Sequence, residues 1–110
     1  MIEQARNNLS SLDLEVFSPL HDVGRGPAEE VVHHDLEGIR QCDVVFAIGD
    51  GLDPGTIYEI GYAKALNKPV IFYAENVTAE DMKMMSGSSC IISTDYVSAI
   101  YRTVWEAISI

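Results

Sequence analysis

Cationic side chains are scarce in this 110-residue sequence: seven Lys and Arg stand against seventeen Asp and Glu, a formal net charge of −10. Nucleic-acid backbones and anionic lipid surfaces both select clustered Lys and Arg, so neither is an expected partner. Cysteine is equally sparse. Cys42 and Cys90 sit far apart in apolar stretches and read as small core residues of a protein in the reducing cytoplasm, not as a disulfide framework. No apolar run approaches the ~20 residues of a membrane span, and no basic-then-apolar leader opens the sequence. Repeats and low-complexity tracts are absent too. With 47% hydrophobic residues the chain can build one core and not two, so residues 1–110 read as a single acidic domain.

Element types alternate along the chain. Ile2, Ala5, Leu9 and Leu12 recur at helical spacing, and Leu14 to Phe17 reads as a short strand stopped by Pro19. After a loop from Leu20 to Gly26, Pro27 suits the first position of a helix running to about Gln41, with Val31, Leu36 and Ile39 inward. Asp43 to Ile48 is a near-continuous apolar run, as a parallel strand covered on both faces requires. A loop from Gly49 to Pro54 leads into a helix from Gly55 to Leu66, closed by Asn67 and Pro69. Val70 to Tyr73 is a second buried strand. Thr78 with Asp81 opens a helix that fades by Gly87, and Cys90 to Ile92 is a last strand. Thr94 then caps a final helix bearing Val97, Ile100, Tyr101, Val104 and Trp105. The alternation predicts an α/β fold: a doubly wound, flavodoxin- or Rossmann-like parallel sheet in a three-layer α/β/α arrangement. Such a domain normally begins with a strand and this chain begins with a helix, so either a first strand has been lost from the N-terminus or the sheet is built without its usual central member.

In open α/β sheets the ligand sits beyond the carboxyl ends of the strands. The loop there, Gly49-Asp50-Gly51-Leu52-Asp53-Pro54-Gly55-Thr56, is glycine-rich and precedes a helix, as phosphate cradles do. It has no phosphate-binding lysine, however, and its two carboxylates oppose a phosphate and favour a neutral polyol such as a sugar. An ordinary acidic turn is the plainer alternative. Glu59 lies in the second turn of the following helix, where the neighbours at three- and four-residue spacing are Gly55, Thr56, Tyr62 and Ala63, none of them cationic. It is therefore either desolvated, which raises a carboxyl pKa, or aimed into a cleft. Hydroxyls of Thr56, Tyr58 and Tyr62 could hold it as a carboxylate, fit for attack on an anomeric carbon. A solvent-facing surface glutamate is the alternative. His21, in the first loop, is a further candidate for the pocket. His33-His34-Asp35 is not a metal site, because adjacent helical residues point about 100° apart and no ligand spacing follows.

Taken together, Asp35-Leu-Glu-Gly-Ile-Arg-Gln-Cys-Asp43-Val-Val-Phe-Ala, Asp53-Pro-Gly-Thr-Ile-Tyr-Glu59-Ile-Gly-Tyr-Ala and Lys68-Pro-Val resemble the nucleoside 2-deoxyribosyltransferase family over about Ile2 to Ser93. The resemblance implies that Glu59 is the nucleophile at C1′, that Asp35 contacts the nucleobase and helps protonate it, and that Asp53 holds the sugar 5′-hydroxyl. Related 5′-monophosphate N-glycosidases carry serine at the position of Asp53, so the aspartate favours an unphosphorylated nucleoside. Gly55 matches the glycine that lets the backbone approach the sugar. The family begins with a strand and loop that bring a tyrosine to the site, which are lacking here. Family members also complete each site with an asparagine or serine from a neighbouring subunit. Asp81 to Ser86 occupies that place, and Asp81 or Ser86 is expected to substitute. The expectation is a homodimer or larger homo-oligomer that uses no cofactor or metal and takes a nucleoside and a free nucleobase. Alternatives are a nucleoside or 5′-monophosphate N-glycosidase, and a non-catalytic nucleoside- or nucleotide-binding module.

Overall fold

A computed structural model of the chain describes residues 2–11 and 27–108, and the chain divides into two compact units, residues 1–42 and 43–110. The first unit contains α1 (Ile2–Ser11) and α2 (Ala28–Gln41). Ala5, Leu9 and Ile39 are buried, as their helical spacing leads one to expect. Pro27 precedes α2, and its carbonyl accepts the Val31 N–H at 3.1 Å. The expected strand Leu14 to Phe17 lies outside the described residues.

The second unit runs β1 (Val45–Ile48), α3 (Pro54–Ala65), β2 (Val70–Tyr73), α4 (Lys83–Gly87), β3 (Ile91–Ser93) and α5 (Tyr96–Ile108). All three strands are parallel, in the order β1-β2-β3, with Val45 opposite Val70 and Ile71 opposite Ile91. This is an α/β fold, with a helix in every crossover between strands.

β2 is central, which explains its composition. Both of its edges are paired, and Val70, Ile71, Phe72 and Tyr73 are each 0% exposed. A strand so enclosed has no solvent face on which a polar residue could sit. Ile71 and Tyr73 point to one side, where they meet Ala99 of α5 and pack with Val44, Phe46, Ile48, Ile91 and Tyr96. The Tyr73 ring stacks on Phe46 at 6.4 Å and meets Tyr96 edge-on at 5.5 Å. Phe72 closes against Gly49, where an added Cβ would lie 1.9 Å from the ring tip, so only glycine fits.

Asn67 ends α3 in the left-handed region (φ 59°), donating its N–H to Lys64 O at 3.0 Å. The final cap differs from expectation. Asp95, not Thr94, accepts the Ser98 N–H at 2.8 Å, and its carbonyl starts the helical ladder at Ala99. The Ser98 N–H holds the Asp95 carboxyl below its usual range, with a side-chain hydrogen bond to Ser98 adding to the effect. α5 turns Ala99, Ile100 and Thr103 inward and leaves Val97, Tyr101 and Trp105 exposed. The Thr103 hydroxyl is satisfied by Ala99 O at 2.8 Å. Neither cysteine is in a disulfide, and burial pushes the Cys90 thiol up, with Lys64 opposing it. No helix among the described residues is long and apolar enough to cross a membrane.

Candidate active site

The loop after β1 is built by its own polar atoms. Gly49 N–H joins the sheet by donating to Tyr73 O at 2.8 Å, and Leu52 N–H turns back to Gly49 O at 3.0 Å. The turn needs two left-handed residues, Gly51 (φ 87°) and Leu52 (φ 47°). The first costs nothing at a glycine, whereas the second is a strained position for leucine.

Asp50 then crosses to the loop after β2. Its Oδ1 accepts the N–H groups of Glu75 at 3.0 Å and Asn76 at 2.7 Å, and its Oδ2 lies 3.1 Å from Glu75 N. One carboxylate thus ties together the two loops at the carboxyl end of β1 and β2. Sequence reasoning assigned Asp50 only a charge. Its signal was a short acceptor in a glycine-rich turn, a residue type that commonly satisfies backbone N–H groups.

Asp53 is the N-cap of α3. Its Oδ2 accepts the Thr56 N–H at 3.0 Å and the Thr56 hydroxyl at 3.3 Å. Pro54 occupies the first helical position, where its missing N–H is harmless. Gly55 has a local reason to be glycine: an added Cβ would stand 3.1 Å from Asp53 Oδ2 and press on the capping oxygen. Thr56 is half-buried and its hydroxyl is turned to Asp53. Tyr58 is 63% exposed. Glu59, one turn beyond the cap, is half-buried, and its Oε2 is withdrawn from solvent. Asp53, Gly55, Thr56, Tyr58 and Glu59 therefore share one loop–helix segment.

The Tyr73 hydroxyl, at the end of β2, donates to the Glu75 carboxylate. That hydrogen bond, then burial and the charges of Glu75, Asp50 and Asp95, push the phenol up to about 12, so it stays protonated. This end of the sheet is acidic, with Asp50, Asp53, Glu59 and Glu75 on two adjoining loops and the helix that follows.

Asp81 and Ser86 follow the second loop and have exposed side chains. Asp81 N–H donates to Thr78 Oγ1 at 3.2 Å, as the helix-opening pattern predicts, although regular helix starts only at Lys83. Asp35 belongs to the first unit, half-buried on α2 with Oδ1 withdrawn from solvent. His21 lies outside the described residues. His33 and His34 are exposed, with ring centroids 5.7 Å apart. Among the described residues no group of three or more His, Cys, Asp and Glu could hold a metal ion.

The family model for nucleoside 2-deoxyribosyltransferase matches residues 1–89. No curated protein sequence matches the chain. Among solved structures the chain is similar to the CMP N-glycosidase BcmB of Clostridium botulinum, at 22% identity and a TM-score of 0.58, over 94% of this chain and 91% of that one. At that identity the likeness speaks for the fold.

Proposed function

The chain belongs to the nucleoside 2-deoxyribosyltransferase family, and from that premise we propose that it cleaves the N-glycosidic bond of a nucleoside through a glycosyl ester on Glu59 and passes the sugar to a second base. The observation that supports this reading most is Glu59 itself, half-buried at the carboxyl end of the sheet with one oxygen withdrawn from water. A carboxylate in such a place is poorly solvated and is held at a fixed point on a capped helix.

In the first step a Glu59 oxygen bonds to C1′ while the C1′–N bond breaks, and the departing base takes a proton. Asp35 is the proposed base contact and proton source. In the second step a ring nitrogen of the incoming base attacks C1′ and gives up its proton to Asp35, the ester breaks, and Glu59 returns as carboxylate. Asp53 and Gly55 shape the sugar site, with His21, Thr56, Tyr58 and Asp81 or Ser86 as further substrate contacts. Holding the acceptor base and excluding water is what makes the second step transfer. The chemistry calls on no cofactor or metal. We assign the activity to the cytoplasm and to a homodimer or larger homo-oligomer.

A hydrolytic reading, with water in place of the second base, shares every step up to the ester. The CMP N-glycosidase neighbour makes a 5′-monophosphate its natural substrate to test. The acidic loop argues against that substrate, because the charges of Asp50 and Asp53 would oppose a phosphate bound there. Incubation with deoxyinosine, with and without free adenine, decides the outcome. Deoxyadenosine formation means transfer, and free deoxyribose alone means hydrolysis. If neither forms, or if Glu59→Ala leaves turnover unchanged, the enzymatic reading fails and saturable binding without product would mark a binding module.

A further inference from the structure

The turn between Asp50 and Asp53 is strained, and packing does not hold it. Gly51 and Leu52 both lie in the left-handed region, a costly conformation for leucine. Such a backbone persists only where its surroundings over-determine it. Yet Gly51, Asp53, Pro54 and Gly55 are all exposed, and an added Cβ at Gly51 would meet nothing within 4 Å. The turn is held by polar atoms instead. Leu52 N–H donates to Gly49 O from within, and half-buried Asp50 anchors the turn from outside through the Glu75 and Asn76 N–H groups.

That anchor is firm. Glu75 and Asn76 follow directly on the central strand β2, and sheet pairing continues past its end, where Ala74 N–H donates to Ser93 O at 3.1 Å. The Glu75 side chain is held in turn by the Tyr73 hydroxyl. On the far side of the turn the chain is stiff. Asp53 caps α3 through Thr56, its carbonyl accepts the Ile57 N–H at 3.1 Å, and Glu59 follows in the second helical turn. Only Gly51 and Leu52 separate the anchored aspartate from the capped helix, so a shift of the turn carries the start of α3, and Glu59 with it.

We infer that Asp50 is a positioning residue for Glu59: by binding the Glu75 and Asn76 N–H groups it holds the strained turn that sets where the Glu59 carboxylate stands. This rests on the reaction proposed above, in which Glu59 attacks C1′. Asp50 acts through Glu59 and not on the substrate. The attack tolerates little error, since a displacement of ~1 Å can cost ~10²-fold in rate. Oδ1 by itself reaches both N–H groups, at 3.0 and 2.7 Å, so the anchor needs one well-placed acceptor oxygen and not a charge. Asparagine supplies that oxygen and alanine does not.

Steady-state release of hypoxanthine from deoxyinosine, with free adenine as acceptor, tests it for wild type, Asp50→Ala, Asp50→Asn and Glu59→Gln. The assay is run at about 15 °C, near the temperature of greatest stability for most domains. In Asp50→Ala the freed N–H groups lie on an exposed loop where water replaces the carboxylate, and far-UV circular dichroism shows that the variant is folded. Asp50→Ala is expected to lose ~30-fold or more in kcat with KM changed by less than ~5-fold, and Asp50→Asn to lose less than ~5-fold in kcat. A clamp that served stability alone would leave the kcat of folded Asp50→Ala at the wild-type value, and that result overturns the inference. So does a loss confined to KM, or an Asp50→Asn as slow as Asp50→Ala, which would make charge and not position the cause. Turnover that needs Glu59 but is indifferent to Asp50 strikes the positioning role alone. A wild type without turnover, or full turnover in Glu59→Gln, strikes the proposed reaction and the positioning role with it.

Discussion

Asp53 has two duties that substitution can separate. Its Oδ2 caps α3 through the Thr56 N–H and hydroxyl, and its charge contributes to the acidic end of the sheet. Asp53→Ala removes both. Loss of an N-cap costs about 1 kcal/mol, within a range of roughly 0.5–2, and in a unit of this size 1 kcal/mol lowers Tm by about 4–8 °C. Asp53→Asn and Asp53→Ser keep a good capping oxygen, so their Tm should stay within about 3 °C of wild type. Both still remove the charge. Asp53 is exposed, so water screens it, and if it lies beside the 5′ position as proposed, its repulsion of a 5′-phosphate would be about 1–2 kcal/mol, or ~5- to 30-fold in relative kcat/KM. The assay is kcat/KM for a deoxynucleoside and for its 5′-monophosphate, measured beside thermal melts of the same preparations. The expected result is a nucleoside preference that falls by that factor in Asp53→Asn and Asp53→Ser while Tm holds. An unchanged preference in folded, stable variants would refute the electrostatic account of substrate choice, whatever the melts show for the cap.

Glu59→Gln should abolish glycosyl transfer, by ~10³-fold or more, without lowering Tm by more than about 2 °C, because the amide keeps the size of the side chain and an acceptor oxygen. A variant retaining a tenth of wild-type turnover would remove Glu59 from the chemistry. Asp50→Ala should cost about 1–2 kcal/mol by releasing the Glu75 and Asn76 N–H groups to water, and Asp50→Asn, which keeps an acceptor oxygen, about half of that; urea unfolding measures both. Equal losses in the two variants would mean that the clamp is not a matter of acceptor geometry. Asp95 bears on acid stability. Its carboxylate is favoured in the folded state, so its stabilisation is complete above the ordinary carboxyl pKa and lost as pH falls through the depressed folded value. Wild type and Asp95→Asn, compared by urea unfolding from about pH 6 down to pH 2.5, should differ in the slope of their acid limbs. Parallel limbs would count against the cap as the cause.

Much of this arrangement could be read from the residues, and the failures share a cause. Val70 to Tyr73 was delimited to the residue because a central parallel strand must be apolar on both faces, and few other elements produce such a run. The end of α3 was equally plain, since Asn67 tolerates the left-handed conformation and Pro69 cannot continue a helix. The half-buried position of Glu59 was legible through its apolar helical neighbours. The cap of α5 was misplaced by one position because Thr94 and Asp95 are both capable caps, and only the backbone leaving β3 decides which reaches the Ser98 N–H. Tyr101 and Trp105 fit a helical periodicity without turning inward. Periodicity fixes which residues share a face but not whether the rest of the unit covers it. Asp50 was the hardest case, because its partners stand 25 and 26 residues away and periodicity carries no information at that range.

The same two aspartates connect the folding of the loop to its chemistry. A turn that places Gly51 and Leu52 in the left-handed region, and then begins a helix, leaves backbone N–H groups that need acceptors nearby. Asp53 satisfies the one at Thr56, and Asp50 satisfies two on the neighbouring loop. Neutral acceptors could do each job, as serine does at many caps, so the shape of the loop does not by itself require two negative charges. On the reading proposed above, their charges, with Glu59 one turn further along, would favour a ligand that brings hydroxyls over one that brings a phosphate. If shape were all that mattered, Asp50→Asn combined with Asp53→Ser would leave the ranking of nucleoside over monophosphate untouched. A reversal of that ranking in the double variant, with Glu59 still required for turnover, is the result expected if the carboxylates are there to select the substrate.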